Sequence, residues 1–240
     1  HLSIRRQRQM CIRDSYNIDQ TAWYEGQETW EPNTKRYASL ITHMDAAIGR
    51  LLNELEQLNL RKNTLIIFAS DNGAAIQAPI KILNCNAGFK GRKGTLYEGG
   101  IRVPFIVNQP GMVPIQTLDN LIYFPDMMPT LAALAKGTKH LPKQINGINI
   151  LPLFYGKQVD TDNRLLYWEF PGKQRAARKG DWKCVTIHPN QPLELYNLKE
   201  DPEETNNLAK KYPRRVKEFD EEMQRMHIPT PNWPQPGEQF

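Results

Sequence analysis

NTLIIFASDNG at residues 63–73 and FKGRKGTLYEGGIRVP at residues 89–104 are the two stretches that decide the fold of this chain. The first contains TLIIFA, six apolar or β-branched residues without alternation, a pattern typical of a parallel strand covered on both faces. Asp71 and Asn72 follow directly after this strand, and Lys93 lies in the glycine-rich loop of the second stretch. We predict that the rest of the chain is a scaffold around these two clusters.

Length and composition indicate a globular protein with a sizeable core, because 240 residues with 40% apolar and 24% charged content fall in the ordinary range. No run approaches the roughly 18 consecutive apolar residues of a membrane span. The net charge of +5 weakly favours anionic partners. Basic residues are spread along the chain, so we predict no nucleic-acid partner. The cysteines, Cys11, Cys85 and Cys184, are too scattered for a disulfide framework or a zinc site.

Residues 1–15, HLSIRRQRQMCIRDS, differ from the rest of the chain. They are rich in arginine and lack helical or strand periodicity, and QRQMCIRDS resembles a translated sequencing adapter. We therefore expect a non-native or disordered leader that takes no part in the fold. The natural start of the protein is expected to be missing.

An α/β unit is predicted from about Lys35 to Ala69. Apolar residues recur three or four positions apart, which predicts one helix with an apolar face. Asn33 or Thr34 can cap its start, and Asn59 can take the left-handed conformation at its end. A helix, a short turn and a buried strand form a unit of a doubly wound sheet. The apolar face consists of Tyr37, Leu40, Ile41, Met44, Ile48, Leu51, Leu52, Leu55 and Leu58.

The remaining elements are predicted from shorter patterns. Ile101–Val107 is a second strand, placed at a sheet edge because Pro104 lacks an amide donor. Leu121–Phe124 is a short strand, and Asp126 caps a helix that Gly137 stops. Short segments at 164–170, 175–180, 181–187 and 193–198 predict a small antiparallel sheet. DPEETNNLA is an acidic helix entry, and the helix is expected to run intermittently to Met226. We expect three parts: the leader 1–15, an α/β domain 16–160 and a sheet subdomain with tail 161–240.

Asp71 and Asn72 have the chemistry of a metal site. Ligands sit beyond the carboxyl ends of strands in such sheets, and carboxylate and amide oxygens suit Ca²⁺ or Mg²⁺. Two ligands do not complete a site, because Ca²⁺ takes about six to eight oxygens. Asp-Asn-Gly is also a good turn sequence, and that alternative stays open.

Lys93 has the chemistry of an anion contact. Gly91 and Gly94 let the backbone approach a ligand closely, and an ammonium group neutralises an oxyanion. The spacing is not that of a P-loop. A solvated lysine in a turn is the alternative. Glu98, Gly99, Gly100 and Arg102 are expected to shape the turn into the next strand rather than to do chemistry.

From about Tyr37 to Leu208 the chain resembles the C-terminal half of the type I sulfatases, which include arylsulfatases and N-acetylgalactosamine-6-sulfatases. The resemblance implies a partial alkaline-phosphatase-like α/β fold, a doubly wound sheet followed by a small antiparallel sheet subdomain with a terminal helix. Five matching stretches occur in family order: YASLITHMDAAIGRLLNELEQLNLRKNTLIIFASDNG, FKGRKGTLYEGGIRVPFIVNQPG, FPDMMPTLAALA, RKGDWK and LELYNLKEDPEETNNLA.

By this resemblance, Asp71 and Asn72 ligate the active-site divalent cation, usually Ca²⁺, with Mg²⁺ as the other candidate. Lys93 is the catalytic lysine that binds the sulfate group. The resemblance implies hydrolysis of a sulfate ester, on a sulfated small molecule or glycan, by an exported enzyme. Its nucleophile would be a formylglycine made from cysteine or serine in a C/S-x-P/A-x-R motif, whose covalent catalysis divides one hard step into two.

None of the three cysteines and none of the four serines, Ser3, Ser15, Ser39 and Ser70, lies in that motif. The family's early Asp-Asp ligand pair and leaving-group histidine are also unmatched. We therefore expect the C-terminal half of a sulfatase, inactive by itself. A phosphoester or phosphonate hydrolase of the same superfamily and a non-catalytic polyanion-binding fragment are the alternatives.

Overall fold

The computed structural model describes residues 30–170, 174–188 and 190–231, so the predicted leader at 1–15 lies outside the described residues. Contacts divide the chain into two compact units. One contains the described residues up to Thr64 together with Ala75–Cys85. The other contains Leu65–Ala74 and the described residues from Asn86 onward.

The first unit is dominated by helix α1, Pro32–Gln57. It starts earlier than predicted, because Pro32 takes the first helical position and its ring already fixes φ near the helical value. The predicted cap at Asn33 or Thr34 is therefore wrong. Asn59 adopts φ +57° after the helix, as predicted. Part of the apolar face of α1 is exposed among the described residues. None of the described helices is both long and apolar enough to cross a membrane. A short 3₁₀ turn at Arg61–Asn63 and the short helix α2, Ile80–Leu83, are the other helical elements in the described part of this unit.

The second unit begins with strand β1, Ile66–Ala69, which is the predicted TLIIFA strand. It pairs with β2, Phe105–Asn108, and the pair is antiparallel, whereas the apolar run predicts a parallel strand. The second strand also starts later than predicted. Residues Glu98–Ile101 form a helical turn, α3, closed by the Arg102 amide on the Glu98 carbonyl at 2.7 Å.

The segment around Asp126 differs from the prediction in its contacts. Leu121–Phe124 is not a strand, and a 3₁₀ turn at Phe124–Asp126 leads into helix α4, Met127–Leu134. Asp126 sits at the predicted cap position, but its carboxylate binds the Tyr123 amide at 3.0 Å and the Arg164 guanidinium at 2.6 Å. Lys136, with φ +56°, ends this segment one residue before Gly137.

The predicted antiparallel sheet is confirmed. Four strands follow one another as a meander in the order β3-β4-β5-β6. Each strand matches a segment that turn residues delimit in the sequence. The strands are β3 Leu165–Phe170, β4 Gln174–Lys179, β5 Trp182–Thr186 and β6 Glu194–Asn197.

Both faces of this sheet are covered, because neighbouring residues on a strand point to opposite faces. Ala176, Val185 and Tyr196 pack with Leu96 and Tyr97 of the glycine-rich segment. The other face packs on the last helix, α6, Pro213–Met226, through Phe219 and Met223. A third cluster packs α5, Leu151–Phe154, against β1 and β2. The sheet thus fixes the segment that carries Lys93.

Helix α6 ends at Met226 as predicted, but it does not begin at DPEETNNLA. There the Asp201 carboxylate accepts hydrogen bonds from the amides of Thr205 and Asn206 at 3.0 and 2.8 Å. Glu204 adopts φ +57°, which is incompatible with a continuing helix. The acidic segment is therefore a tight turn, and Pro213 starts the helix.

Candidate functional site

The two sequence clusters meet where β1 ends. The Gly73 amide donates to the Gly100 carbonyl at 2.9 Å, and the Lys93 amide donates to the Ala74 carbonyl at 2.9 Å. These bonds join the loop that carries Asp71 and Asn72 to the loop that carries Lys93. We call this hydrogen-bonded pair of loops, residues 71–74 and 89–100, the junction.

Glycines make the junction possible because its backbones approach closely. A Cβ atom added to Gly73 would lie 1.8 Å from the Gly99 carbonyl oxygen, and one added to Gly100 would lie 2.1 Å from that of Thr95. Gly91 and Gly94 have φ of +82° and +94°, which glycine adopts without strain. Glycine is therefore required at these positions, because a side chain would collide with backbone atoms or strain the backbone.

We expect Gly73→Ala to separate the two loops. The new methyl group meets backbone atoms that cannot rotate away, so the free energy of unfolding should fall by about 1–3 kcal/mol. Urea unfolding measures this loss, and hydrogen exchange should show faster exchange of the Lys93 amide.

Gly49→Ala is the matched control. Gly49 lies in α1, and a Cβ atom there meets nothing within 4 Å. Since alanine is favoured over glycine inside a helix by about 1 kcal/mol, this variant should be neutral or more stable. Equal losses for the two variants would contradict the role assigned to Gly73.

The predicted site residues present polar groups without partners among the described residues. Neither the Asp71 carboxylate nor the Lys93 Nζ makes a described hydrogen bond or ion pair, and both residues are exposed. The Asn72 Nδ2 donates to the Gly73 carbonyl at 3.1 Å, so its Oδ1 remains available as an acceptor. The Ser70 Oγ donates to the Asn72 carbonyl at 2.8 Å and holds this turn. The side-chain oxygen groups of Asp71 and Asn72 and the Lys93 ammonium group are thus without a partner in the described part of the chain.

Ca²⁺ and Mg²⁺ prefer oxygen ligands such as the Asp71 carboxylate and the Asn72 Oδ1, so these two residues would fit part of a site for either metal. No group of three or more His, Cys, Asp or Glu that could hold a metal occurs in the described part of the chain. A complete metal centre therefore needs oxygen ligands beyond Asp71 and Asn72.

A buried ion cluster holds the end of the Lys93 loop. The Lys183 side chain is fully buried, with its Nζ 2.8 Å from Glu98 Oε1 and 2.9 Å from Glu204 Oε1. Glu204 Oε2 accepts the Glu98 amide at 2.6 Å. Burial raises the pKa of Glu204, and Lys183 opposes this effect. Glu98 is buried in this cluster, which fits the prediction that its carboxylate shapes the turn.

A second, half-buried cluster holds the start of the same loop. Lys90 Nζ lies 2.9 Å from the Tyr196 hydroxyl and 3.3 Å from Glu194 Oε2. The hydroxyls of Tyr97 and Tyr196 donate to the same Glu194 oxygen at 2.7 and 2.6 Å. Both ends of the Lys93 loop are therefore bound to the four-stranded sheet by charged contacts.

The surroundings of the Glu194 carboxylate predict that the free energy of unfolding depends on pH. Burial acts to raise its pKa, but hydrogen bonds from Tyr196 and Tyr97 and the Lys90 charge outweigh burial and hold the pKa below its ordinary value of 4.5. A lowered pKa stabilises the fold above that ordinary value, and the gain is lost as pH falls through the lowered value. Between pH 5 and pH 3, the free energy of unfolding should fall more steeply for the unmodified chain than for Glu194→Gln.

Urea unfolding at several pH values checks this slope, with the exposed Glu218→Gln as the control that leaves it unchanged. A Glu194→Gln variant with the unmodified chain's slope would contradict the assignment.

Sequence reasoning missed four charged residues of these clusters: Lys90, Lys183, Glu194 and Glu204. A signal was present for two of them. Lys183 lies between apolar neighbours in WKCVT, and Glu194 lies between two leucines. A charged residue within an apolar strand is rarely buried unless it is paired. The pairing partners are distant in sequence, so the motif alone does not name them.

The comparison with protein families explains the motifs. The Sulfatase family model matches residues 12–138, and the model for the C-terminal part of N-sulphoglucosamine sulphohydrolase matches residues 89–228. This chain belongs to the sulfatase family. A sulfatase of Formosa agariphila is 31% identical over 223 residues, which cover 82% of this chain and 39% of that protein. The N-acetylgalactosamine-6-O-sulfatase of Bacteroides thetaiotaomicron is 30% identical and is matched over 76% of this chain and 40% of its own length.

Solved structures confirm the partial alkaline-phosphatase-like fold of this sulfatase chain. Ps i-CgsB in complex with k-i-k-neocarrahexaose is 27% identical with a TM-score of 0.74, covering 87% of this chain and 46% of that one. A protein from the glycosaminoglycan metabolism locus of Bacteroides thetaiotaomicron is 29% identical with a TM-score of 0.71, covering 80% and 44%. The chain thus spans less than half the length of these relatives.

Proposed function

We propose that this chain is the metal- and sulfate-binding C-terminal part of a sulfuric ester hydrolase that acts on a sulfated carbohydrate. The observation that carries the proposal is the junction, where backbone hydrogen bonds hold the Lys93 loop against the loop of Asp71 and Asn72. Membership of the sulfatase family supports the reaction class.

Asp71 and Asn72 would hold a divalent cation through the carboxylate and Oδ1 oxygens. Ca²⁺ is the expected metal, with Mg²⁺ as the other candidate, because both prefer hard oxygen ligands. The metal would supply positive charge that polarises the sulfate group. The formylglycine nucleophile belongs to the proposal through the family resemblance, and none of the cysteines or serines in this chain lies in its motif.

Lys93 would bind the sulfate oxyanion and stabilise the negative charge that develops during cleavage of the ester. The loop that carries it is held at both ends, so the backbone at Lys93 is positioned before substrate binds. Preorganised positive charge of this kind lowers the barrier without reorganisation during the reaction.

A carbohydrate substrate is proposed from the relatives. One has N-acetylgalactosamine-6-O-sulfatase as its name, and another structure contains a neocarrahexaose. Export of the natural protein is proposed by the family resemblance.

The test uses the natural protein that contains this chain. We expect it to release inorganic sulfate from sulfated sugars, to lose that activity with a chelator and to regain it with Ca²⁺. Phosphate monoesters and phosphonate monoesters, assayed in parallel, test the alternative superfamily reaction. Faster release of phosphate than of sulfate would overturn the proposal.

The 240-residue chain alone is expected to release no sulfate from a chromogenic aryl sulfate, because it lacks the nucleophile motif. Robust turnover by this chain would show that the nucleophile lies within it.

A further inference from the structure

Five basic residues lie within eight positions at the start of α6, in the sequence KKYPRRVK at residues 210–217. No acidic residue interrupts them. Four of the five are exposed, and Arg215 is half-buried. We call them the basic cluster; they are Lys210, Lys211, Arg214, Arg215 and Lys217. No other eight-residue window of the sequence contains five basic residues.

The positive charges of the basic cluster are largely not neutralised. Among the described residues, Lys217 makes the only ion pair of the five, to Glu221 at 3.9 Å, and both side chains are more than half exposed. In the same unit Lys90, Arg164 and Lys183 all pair with carboxylates at 3.3 Å or less. The basic cluster is therefore unlike the cations that stabilise this fold.

Aromatic rings orient two members of the basic cluster without removing their charge. The Arg215 guanidinium lies 4.3 Å from the centre of the Trp182 ring, and Lys211 Nζ lies 5.3 Å from that of Tyr212. The two rings pack edge to face at 5.3 Å. Cation–π contacts of this kind hold a cation in place while leaving it able to bind an anion.

The basic cluster also opposes the local preference of the helix. Helix α6 has no acidic residue in its first turn, and Arg214 and Arg215 occupy that turn. Negative groups are favoured at the positive end of a helix dipole, so two arginines there are unfavourable for the fold alone. Local rules are broken most often where function requires it. An anion bound at this surface would relieve the conflict.

We propose that the basic cluster is a second binding surface for sulfated glycan chains, in addition to the contact of Lys93 with the sulfate ester that is cleaved. The choice of a sulfated glycan as the anion rests on the proposed function. Several sulfate groups on one chain would meet several cations at once, which raises the local concentration of substrate.

A sulfated glycan fits this surface better than a nucleic acid does. Proteins that bind single strands offer aromatic faces for base stacking, whereas cations lie over Trp182 and Tyr212 here. The next turns of α6 carry Asp220, Glu221 and Glu222, so the run of positive charge is limited to the start of the helix. The surface thus suits a short run of sulfate groups.

The test measures binding of a heparin hexasaccharide to the 240-residue chain by calorimetry at low and at physiological salt. We expect Lys210→Ala/Arg214→Ala to weaken binding about tenfold at low salt and the chemically desulfated hexasaccharide to bind far more weakly. The matched control is Lys157→Ala/Lys199→Ala, which removes two exposed positive charges elsewhere and should change the affinity less than twofold. The unfolding midpoint of the control variant should equal that of the unmodified chain, and that of Lys210→Ala/Arg214→Ala should be equal or slightly higher, because Arg214 is unfavourable in the first turn of α6.

Equal losses for the two double variants would show that net charge alone attracts the glycan and would overturn the proposal. A Lys93→Ala variant that abolishes binding would place the glycan at the junction and also overturn it. Tighter, cluster-dependent binding of a twelve-nucleotide single strand would assign the surface to nucleic acid instead. This test measures binding and not catalysis, so it can succeed where the proposed function fails. If the glycan binds at the basic cluster but the natural protein releases no sulfate, this surface is supported and the proposed function is overturned.

Discussion

Lys183→Met is expected to lower the free energy of unfolding by about 3–5 kcal/mol, the usual cost of removing one partner from a buried ion pair. Lys183 is fully buried between Glu98 and Glu204, and its removal leaves two buried carboxylates without their shared ammonium group. Arg178 and Arg102 lie 3.6 and 3.7 Å from Glu98 and compensate only that carboxylate. Urea unfolding followed by circular dichroism measures the loss.

Two further variants test the same argument even if the Lys183→Met variant does not fold. Glu204→Gln keeps the side-chain shape and an acceptor for the Glu98 amide, so its cost should be smaller. The double variant Lys183→Met/Glu204→Gln removes the fully buried pair, leaves Glu98 paired with Arg178 and Arg102, and should recover part of the stability. Lys199→Met, at an exposed position, is the control and should stay within about 0.5 kcal/mol. A Lys183→Met variant as stable as this control would contradict the burial argument.

Lys93→Ala in the natural protein is expected to lower kcat/KM for sulfate release by about 10²–10³-fold, the usual effect of removing one preorganised group that stabilises a developing oxyanion. The expectation rests on the proposed function. Because Lys93 is exposed and makes no described ion pair, the free energy of unfolding should change by less than about 0.5 kcal/mol. Steady-state kinetics and urea unfolding of the same variant separate these two effects.

Arg92→Ala is the matched control for Lys93. It removes one positive charge from the neighbouring exposed residue of the same loop. We expect it to retain most of the activity, because position and not net charge determines the effect of Lys93. Equal losses for Arg92→Ala and Lys93→Ala would indicate a general electrostatic effect and would contradict the role assigned to Lys93.

Much of the fold could be predicted because it depends on local patterns. Strands β3 to β6 alternate between two covered faces and are delimited by turn residues, and α1 follows from apolar spacing. The incorrect details depend on single contacts. Asp126 binds Arg164 and not the first turn of α4, and the Asp201 side chain closes a turn where the sequence predicts a helix.

The site could be predicted only in part for a similar reason. Asp71, Asn72 and Lys93 lie in recognisable motifs, and their role as site residues remains a prediction. The residues that position the Lys93 loop could not be predicted, because Glu98 is 85 positions from Lys183 and 106 from Glu204. Long-range pairing of this kind follows from strand order and register, which single motifs do not specify.

The backbone hydrogen bond between Lys93 and Ala74 has a consequence for how the sequence between them can change among related proteins. The chain between these two residues leaves the unit that contains them, and Ala75–Cys85 belongs to the other unit. Insertions, deletions or wholesale exchange of that segment would leave the spacing of Asp71, Asn72 and Lys93 unchanged. Residues 75–85 are thus a position at which the length and sequence of the chain can change while Asp71, Asn72 and Lys93 stay in register.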